Sequence, residues 1–112
     1  QLEFLKEYGL EESGLNKMIR SAYKILNLET FFTAGQKEIK SWPIVKNTIA
    51  VDAAAEIHSD IQRGFIKADI YSLDDLIKYE SEDKLKSNGK IRQEGKNYIV
   101  QDGDIIFFRF NV

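Results

Sequence analysis

The chain has 112 residues, 43% of them hydrophobic, with seven Phe, five Tyr, one Trp and a single Pro, a composition that fits one globular core and excludes a disordered tail. A formal net charge of −2 excludes a domain that holds nucleic acid by bulk positive charge, so any RNA contact has to be local and DNA is not an expected partner. The lack of cysteine removes disulfides, thiolate metal sites and cysteine nucleophiles, and no apolar run approaches the roughly 18 residues of a membrane span.

In chain order, Leu2, Phe4, Leu5 and Tyr8 suit a short amphipathic turn broken by Gly9. Leu15, Met18, Ile19, Ala22 and Leu26 then recur at spacings of three and four, which predicts a helix with Ser13 as N-cap and Asn27 as its stop. The first 27 residues are read as an N-terminal helical segment and 28–112 as the domain proper. Because the chain begins with Gln1 and its opening is already amphipathic, it is expected to be a C-terminal piece of something longer.

From Leu28 the period changes. Glu29 to Thr33 is β-branched and aromatic, Ala34-Gly35 is a turn, and Glu38 to Val45 alternates through Ile39, Trp42 and Ile44, which predicts a hairpin. Pro43 marks its second arm as an edge strand or a bulge. A helix is predicted from a Thr48 cap through His58, with Val51, Ala54, Ala55 and His58 on one face, widened by Ala50 and Ile57. Its small alanines let it lie close to a sheet. A turn over Asp60 to Gly64 leads into a strand from Phe65 to Tyr71.

Ser72, three residues ahead of Asp75, signals a short capped helix, and a weaker helical patch ends at Asn88-Gly89. Lys90 to Glu94 and Asn97 to Val100 are expected to form a small hairpin, and Asp102-Gly103 turns the chain into Ile105 to Phe110. Apolar residues on both faces of that last strand place it centrally in the sheet. Trp42 and the phenylalanines of the strand read as core. Hairpin, helix and a late central strand make an α+β domain of β-grasp plan, a mixed sheet wrapped on one helix.

Little in the sequence carries chemistry. The stretch from Gly9 to Gly14 has four residues between glycines but continues Leu15-Asn16 instead of Lys-Ser/Thr, so no phosphate-binding loop is present. One histidine cannot supply paired metal ligands, and there is no GxSxG elbow. Asp74-Asp75 and Glu82-Asp83 suit helix N-termini, and Asp102-Gly103-Asp104 suits a turn. No catalytic residue and no metal site is assigned.

The one cluster with functional potential is Ile57-His58-Ser59-Asp60 followed by Arg63-Gly64-Phe65-Ile66-Lys67. A histidine at a helix end, with hydrogen-bonding groups and two cations after it, can stack on a base and reach phosphate oxygens. Equally, a histidine there can serve only to bond the last carbonyls of the helix and complement its dipole. Lys37, Lys40 and Lys46 around the first hairpin read mainly as a solvated face that could extend a basic track toward Arg63.

Several blocks carry a family resemblance. Thr30-Phe31-Phe32-Thr33-Ala34-Gly35, Glu38 through Trp42, the string IHSDIQRGFIKAD from Ile57 to Asp69, and QDGDIIFFRFNV from Gln101 to Val112 resemble the C-terminal portion of the YchF/Obg-like ATPase family, in the family's order. The ending FRFNV also resembles the family's natural end. Asn47 stands where the family often has glycine, a change that left-handed geometry tolerates.

The resemblance implies a TGS domain, the β-grasp module shared with threonyl-tRNA synthetases and RelA/SpoT enzymes, in which the turn similar to His58-Ser59-Asp60 lies, in RelA-type proteins, against the tRNA acceptor end. It further implies a cytoplasmic parent whose separate G domain binds ATP or GTP with Mg, and a ribosome, tRNA or rRNA partner. Within this chain no cofactor is expected. The implied role is a non-catalytic module with His58, Ser59, Asp60, Arg63, Gly64, Lys67 and Lys46 as contact residues; the alternative is a protein-interaction platform that regulates the parent's G domain.

Overall fold

The computed structural model describes residues 14–35 and 38–111. The elements are α1 (Gly14–Ile25), β1 (Leu28–Ala34), β2 (Ile39–Val45), α2 (Ala50–Ile57), α3 (Ser59–Arg63), β3 (Phe65–Ser72), α4 (Leu73–Tyr79), α5 (Glu82–Ser87), β4 (Arg92–Glu94) and β5 (Asp104–Phe110). The expectations for Ser13, Lys37 and the segment from Leu2 to Gly9 fall outside the described residues.

Among the described residues, five strands form one sheet in the order β2-β1-β5-β3-β4. β1 and β2 are an antiparallel hairpin, β5 runs parallel to β1 and antiparallel to β3, and β4 pairs antiparallel with β3. The last strand is central, and Pro43 lies on edge strand β2, where its missing N–H removes no bond to an outer neighbour. This mixed sheet around a short helix is the β-grasp architecture. Asn27 (φ 59°) and Asn47 (φ 71°) both adopt left-handed backbone, one ending α1 and the other turning out of β2.

α2 covers one sheet face. Ala50, Ala53 and Ala54 are fully buried against Phe31, Phe65, Ala68, Ile70, Ile106 and Phe108, with Ile57 at the edge of this core. The buried stripe is therefore Ala50, Ala53, Ala54 and Ile57. The expected stripe through Ala55 and His58 is rotated by one residue, because Ile57 offers more apolar area than a histidine and takes the inward position. Thr48 does not cap α2: Ile49 holds the N-cap position, and the Thr48 hydroxyl donates instead to the Val45 carbonyl at 2.5 Å.

The hairpin expected over Lys90 to Val100 does not form. Arg92–Glu94 extends the sheet, while the following segment crosses to α2: Ala50 N–H donates to Tyr98 O at 2.8 Å and Val100 N–H to Thr48 O at 3.0 Å. Backbone groups at the start of a helix need outside partners, and this crossing segment supplies them better than a two-residue turn would.

On the opposite face, α4 and α5 bury Tyr71, Leu85 and Ile105 in a second, smaller core. Ser72 caps α4 as its spacing predicts, its Oγ accepting from Asp75 N–H at 3.0 Å. The rest of that face is open. Phe107, on that face, is 60% exposed, and Phe110, on the α2 face at the end of the strand, is exposed as well, so of the last strand's phenylalanines only Phe108 belongs to the core. α1 buries no residue of its own, and Leu15, Met18, Ile19 and Leu26 are all exposed.

Candidate functional site

The cluster singled out in sequence becomes a helix–corner–helix. His58, in extended backbone (φ −166°, ψ 142°), ends α2 and begins α3. Its N–H donates to Ala54 O at 3.2 Å, and its carbonyl accepts from Ile61 N–H at 3.1 Å and Gln62 N–H at 3.3 Å. What was expected as a loop from Asp60 to Gly64 is the short helix α3, because the His58 ring nitrogen Nδ1 accepts from Asp60 N–H at 3.0 Å and so caps it. With Nδ1 as acceptor, the neutral ring carries its proton on Nε2, which remains a free donor on a side chain 61% exposed.

Asp60 joins the corner together. Its carboxylate is bonded to the Arg63 guanidinium, and its second oxygen lies 3.6 Å from His58 Nδ1. Its backbone carbonyl accepts from Gly64 N–H at 2.9 Å. Gly64 meets Asn111 beyond β5, and Phe65, buried, starts β3 beneath it. Ser59 is exposed at the first position of α3. His58, Ser59, Asp60, Arg63 and Gly64 are thus brought together on a corner whose backbone is fixed from both sides. The exposed ring offers a stacking face, and Arg63, 72% exposed, offers donors for an anionic oxygen.

Two sequence-predicted residues lie elsewhere. Lys67 pairs across the sheet with Arg109, on the face opposite α2, and its Nζ is 3.5 Å from Gln93 Oε1. Lys46 follows β2 beside Asn27, whose carbonyl accepts its N–H at 2.7 Å. Since Val45 pairs with Leu28 at the start of β1, and β5 runs parallel to β1 but antiparallel to β3, Lys46 sits at the end of the sheet opposite the one where β3 leaves Gly64. Lys40, paired with Thr33, is exposed with Glu38 as its neighbour at 4.0 Å.

Sequence reasoning missed the group around Asp104. This carboxylate is buried; its Oδ2 accepts from Tyr98 OH at 2.7 Å and from Gln101 N–H at 2.9 Å, and Arg92 Nη2 lies 3.8 Å from Oδ1. Burial, and then the hydrogen bond to Asp104, push the Tyr98 hydroxyl up to about 12. Nearby, Asp102 Oδ1 accepts from Thr30 N–H at 2.8 Å, and Gly103 (φ 86°) lets its N–H reach Thr30 O, also at 2.8 Å. The Asp-Gly-Asp string is a brace between strands, consistent with a turn and not a cation loop. Among the described residues no group of three or more His, Asp or Glu side chains is arranged to hold a metal ion.

Residues 28–111 match a family model, YchF-GTPase_C, described as "Protein of unknown function (DUF933)". A Pasteurella multocida protein named "Ribosome-binding ATPase YchF" is 53% identical over 112 residues, covering 100% of this chain and 31% of that protein. A Bacillus subtilis protein of the same name is 48% identical over 109 residues, covering 97% of this chain and 30% of that one. The solved Schizosaccharomyces pombe YchF GTPase superposes with a TM-score of 0.82 at 36% identity, over 96% of this chain and 28% of that chain. A GTP binding protein from Pyrococcus horikoshii OT3 shares the fold, with a TM-score of 0.60 at 20% identity over 89% of this chain and 26% of that one. The chain spans about 31% of the length of the curated relatives it matches. The domain-long family match, together with the β-grasp sheet shared with the fission-yeast protein, makes this chain a member of the YchF family, corresponding to its C-terminal TGS-like domain.

Proposed function

We propose that this chain is the non-catalytic docking module of a cytoplasmic, ribosome-associated ATPase or GTPase, and that it engages RNA through the His58–Gly64 corner. The observation that carries the reading is the corner itself: an exposed imidazole and an exposed guanidinium on a backbone held by α2 on one side and Asn111 on the other. A contact group fixed before binding loses little conformational freedom on binding. The names of the relatives, ribosome-binding ATPases, support the choice of partner. We keep the boundary between the helical segment and the module at 27/28. Nucleotide hydrolysis is assigned to a G domain outside this chain: Gly14 opens α1 and is followed by Leu15 and Asn16, so the residues here do not fit a phosphate cradle.

The test is an NMR titration of the 112-residue chain with ribosomes or tRNA. The amides of His58, Ser59, Asp60, Arg63 and Gly64 shift, and added salt weakens the effect because phosphate contacts release counterions. Silence of these signals at low salt overturns the proposal.

A second reading has its own observation. The face of α1 formed by Leu15, Met18 and Ile19, continued by Leu26 just past its end, is exposed, and an apolar stripe of this kind favours packing against another protein surface, such as the parent's G domain. On this reading, removing the module changes the parent's basal ATPase rate; a pure RNA adaptor leaves it unaltered.

A further inference from the structure

The His58 corner can position an RNA contact, but it brings no net charge: Arg63 is paired with Asp60, and the imidazole is neutral. Sequence-independent affinity for RNA comes mainly from cations that displace counterions from phosphates. A chain with a net charge of −2 meets that need only where its cations are concentrated. They are concentrated on α1. From Gly14 to Asn27 the sequence carries Lys17, Arg20 and Lys24 and no acidic residue, whereas each of the other described helices contains at least one.

The three cations share one side of the helix. At about 100° per residue they fall within about 60° of its circumference, away from Leu15 and Ile19, and Lys17 and Lys24 stand about 10 Å apart along the axis. All three are exposed. The row continues onto the sheet: Asn27 ends α1 and its carbonyl accepts the Lys46 N–H at 2.7 Å, and Lys24, Asn27 and the exposed Lys46 border one hollow. Glu29 and Asp102 also line that hollow. Asp102 Oδ1 is taken by Thr30 N–H at 2.8 Å, and among the described residues no carboxylate forms an ion pair with Lys17, Lys24 or Lys46. The cations after β3 are different. On α5, Lys84 and Lys86 are matched by Glu82 and Asp83, and Arg92 lies 3.8 Å from Asp104.

Resting on the RNA reading above, we propose that the basic face of α1, continued by Lys46, is a second RNA contact that grips the phosphate backbone of a double-helical segment. Lysines are compact point charges that read no base, and a straight row of them suits the fixed phosphate rows of a duplex. A single strand calls for exposed rings on which its bases stack, and Tyr23, the one aromatic residue of α1, is partly buried. The apolar stripe of Leu15, Met18 and Ile19 lies on the other side of α1 and stays available to the parent while the cations meet RNA. Lys46 stands at the end of the sheet opposite the His58 corner, so the module touches RNA at two ends and each contact can fail alone.

The experiment measures binding of the 112-residue chain to poly(A)·poly(U) duplex and to poly(U) across a salt series. A variant combining Lys17→Gln, Lys24→Gln and Lys46→Gln is compared with one combining Lys84→Gln and Lys86→Gln, which also removes positive charge from an exposed helix. The first is expected to bind the duplex about tenfold more weakly at low salt, and to flatten the plot of log affinity against log salt by about 0.7–0.9 per lysine. The second leaves the slope unchanged. Because every substituted side chain is exposed, an unchanged thermal midpoint separates lost contact from lost fold. Equal losses from the two variants, or tighter binding of poly(U) than of the duplex, overturns the proposal. Duplex binding that survives the triple variant but falls with His58→Asn also overturns it and leaves the corner standing; the reverse pattern supports the α1 row and removes the corner. No duplex binding at low salt removes both.

Discussion

The peptide N–H of Asn111 donates to the carbonyl of Gly64 at 2.9 Å, and the contact is so close that a Cβ built on Gly64 would overlap the Asn111 carbonyl oxygen. The end of β5 is thereby fastened to the exit of the His58 corner. Gly64 has an ordinary φ of −94°, so its need for glycine is one of space and not of backbone conformation. Gly64→Ala forces the two backbones apart and lowers unfolding free energy by about 1–3 kcal/mol, as overpacking of a tight contact does. Urea denaturation measures the loss, and the amide shifts it causes extend to Asn111.

His58 has a structural task that can be separated from any contact role. Replacing it with Ala removes the acceptor for Asp60 N–H and is expected to lower stability by about 1 kcal/mol. Asn, a strong N-cap, restores most of that stability without restoring an aromatic ring. A denaturation midpoint for His58→Asn as low as that for His58→Ala would show that the ring nitrogen does not cap α3.

Ala54 is fully buried where α2 meets the sheet. Ala54→Leu inserts three carbons where the helix approaches Phe31 and Phe108, and a loss of about 1–3 kcal/mol is expected. Ala55→Leu, one position along the same helix but exposed, leaves the midpoint within about 0.5 kcal/mol. Equal effects would contradict the rotated stripe.

Asp104 gathers Tyr98, Gln101 and Arg92 around one buried carboxylate. Asp104→Ala strands these donors and costs about 3 kcal/mol. The same bond sets an alkaline limit. Burial and the bond to Asp104 push the Tyr98 hydroxyl up to about 12 in the folded chain from its ordinary 10.0, so the folded state holds the proton more tightly. Its stabilising effect is complete below pH 10 and is lost as pH rises from 10 through 12. Burial, followed by the hydrogen bond to Glu82, raises Tyr71 as well, so both hydroxyls contribute to the decline. Urea midpoints from pH 9 to 12 should fall less steeply for Tyr98→Phe, which has no proton to lose.

Much of the fold was legible because local signals agreed with the tertiary solution. The change of period after Asn27, the alternation of β5, the Ser72 cap and the proline in β2 each have a short-range cause that side-chain spacing or backbone geometry expresses directly. The same holds for the His58-to-Gly64 corner, whose residues are neighbours in the chain.

What the sequence left open depends on partners far away along it. Whether Ala55 or Ile57 faces inward is decided by the sheet beneath α2. Whether Asn97 to Val100 pairs as a hairpin arm is decided by the unsatisfied amides at the start of that helix. Phe107 and Phe108 are identical in sequence terms, yet one is core and the other open, because α4 and α5 stop short of the Phe107 row. Sequence places Lys46 on a basic track toward Arg63 and Lys67 in the His58 cluster; the strand order carries the first to the other end of the sheet from the His58 corner and the second to the face opposite α2. Periodicity tells a residue's side of its own element; only packed elements decide what, if anything, covers that side.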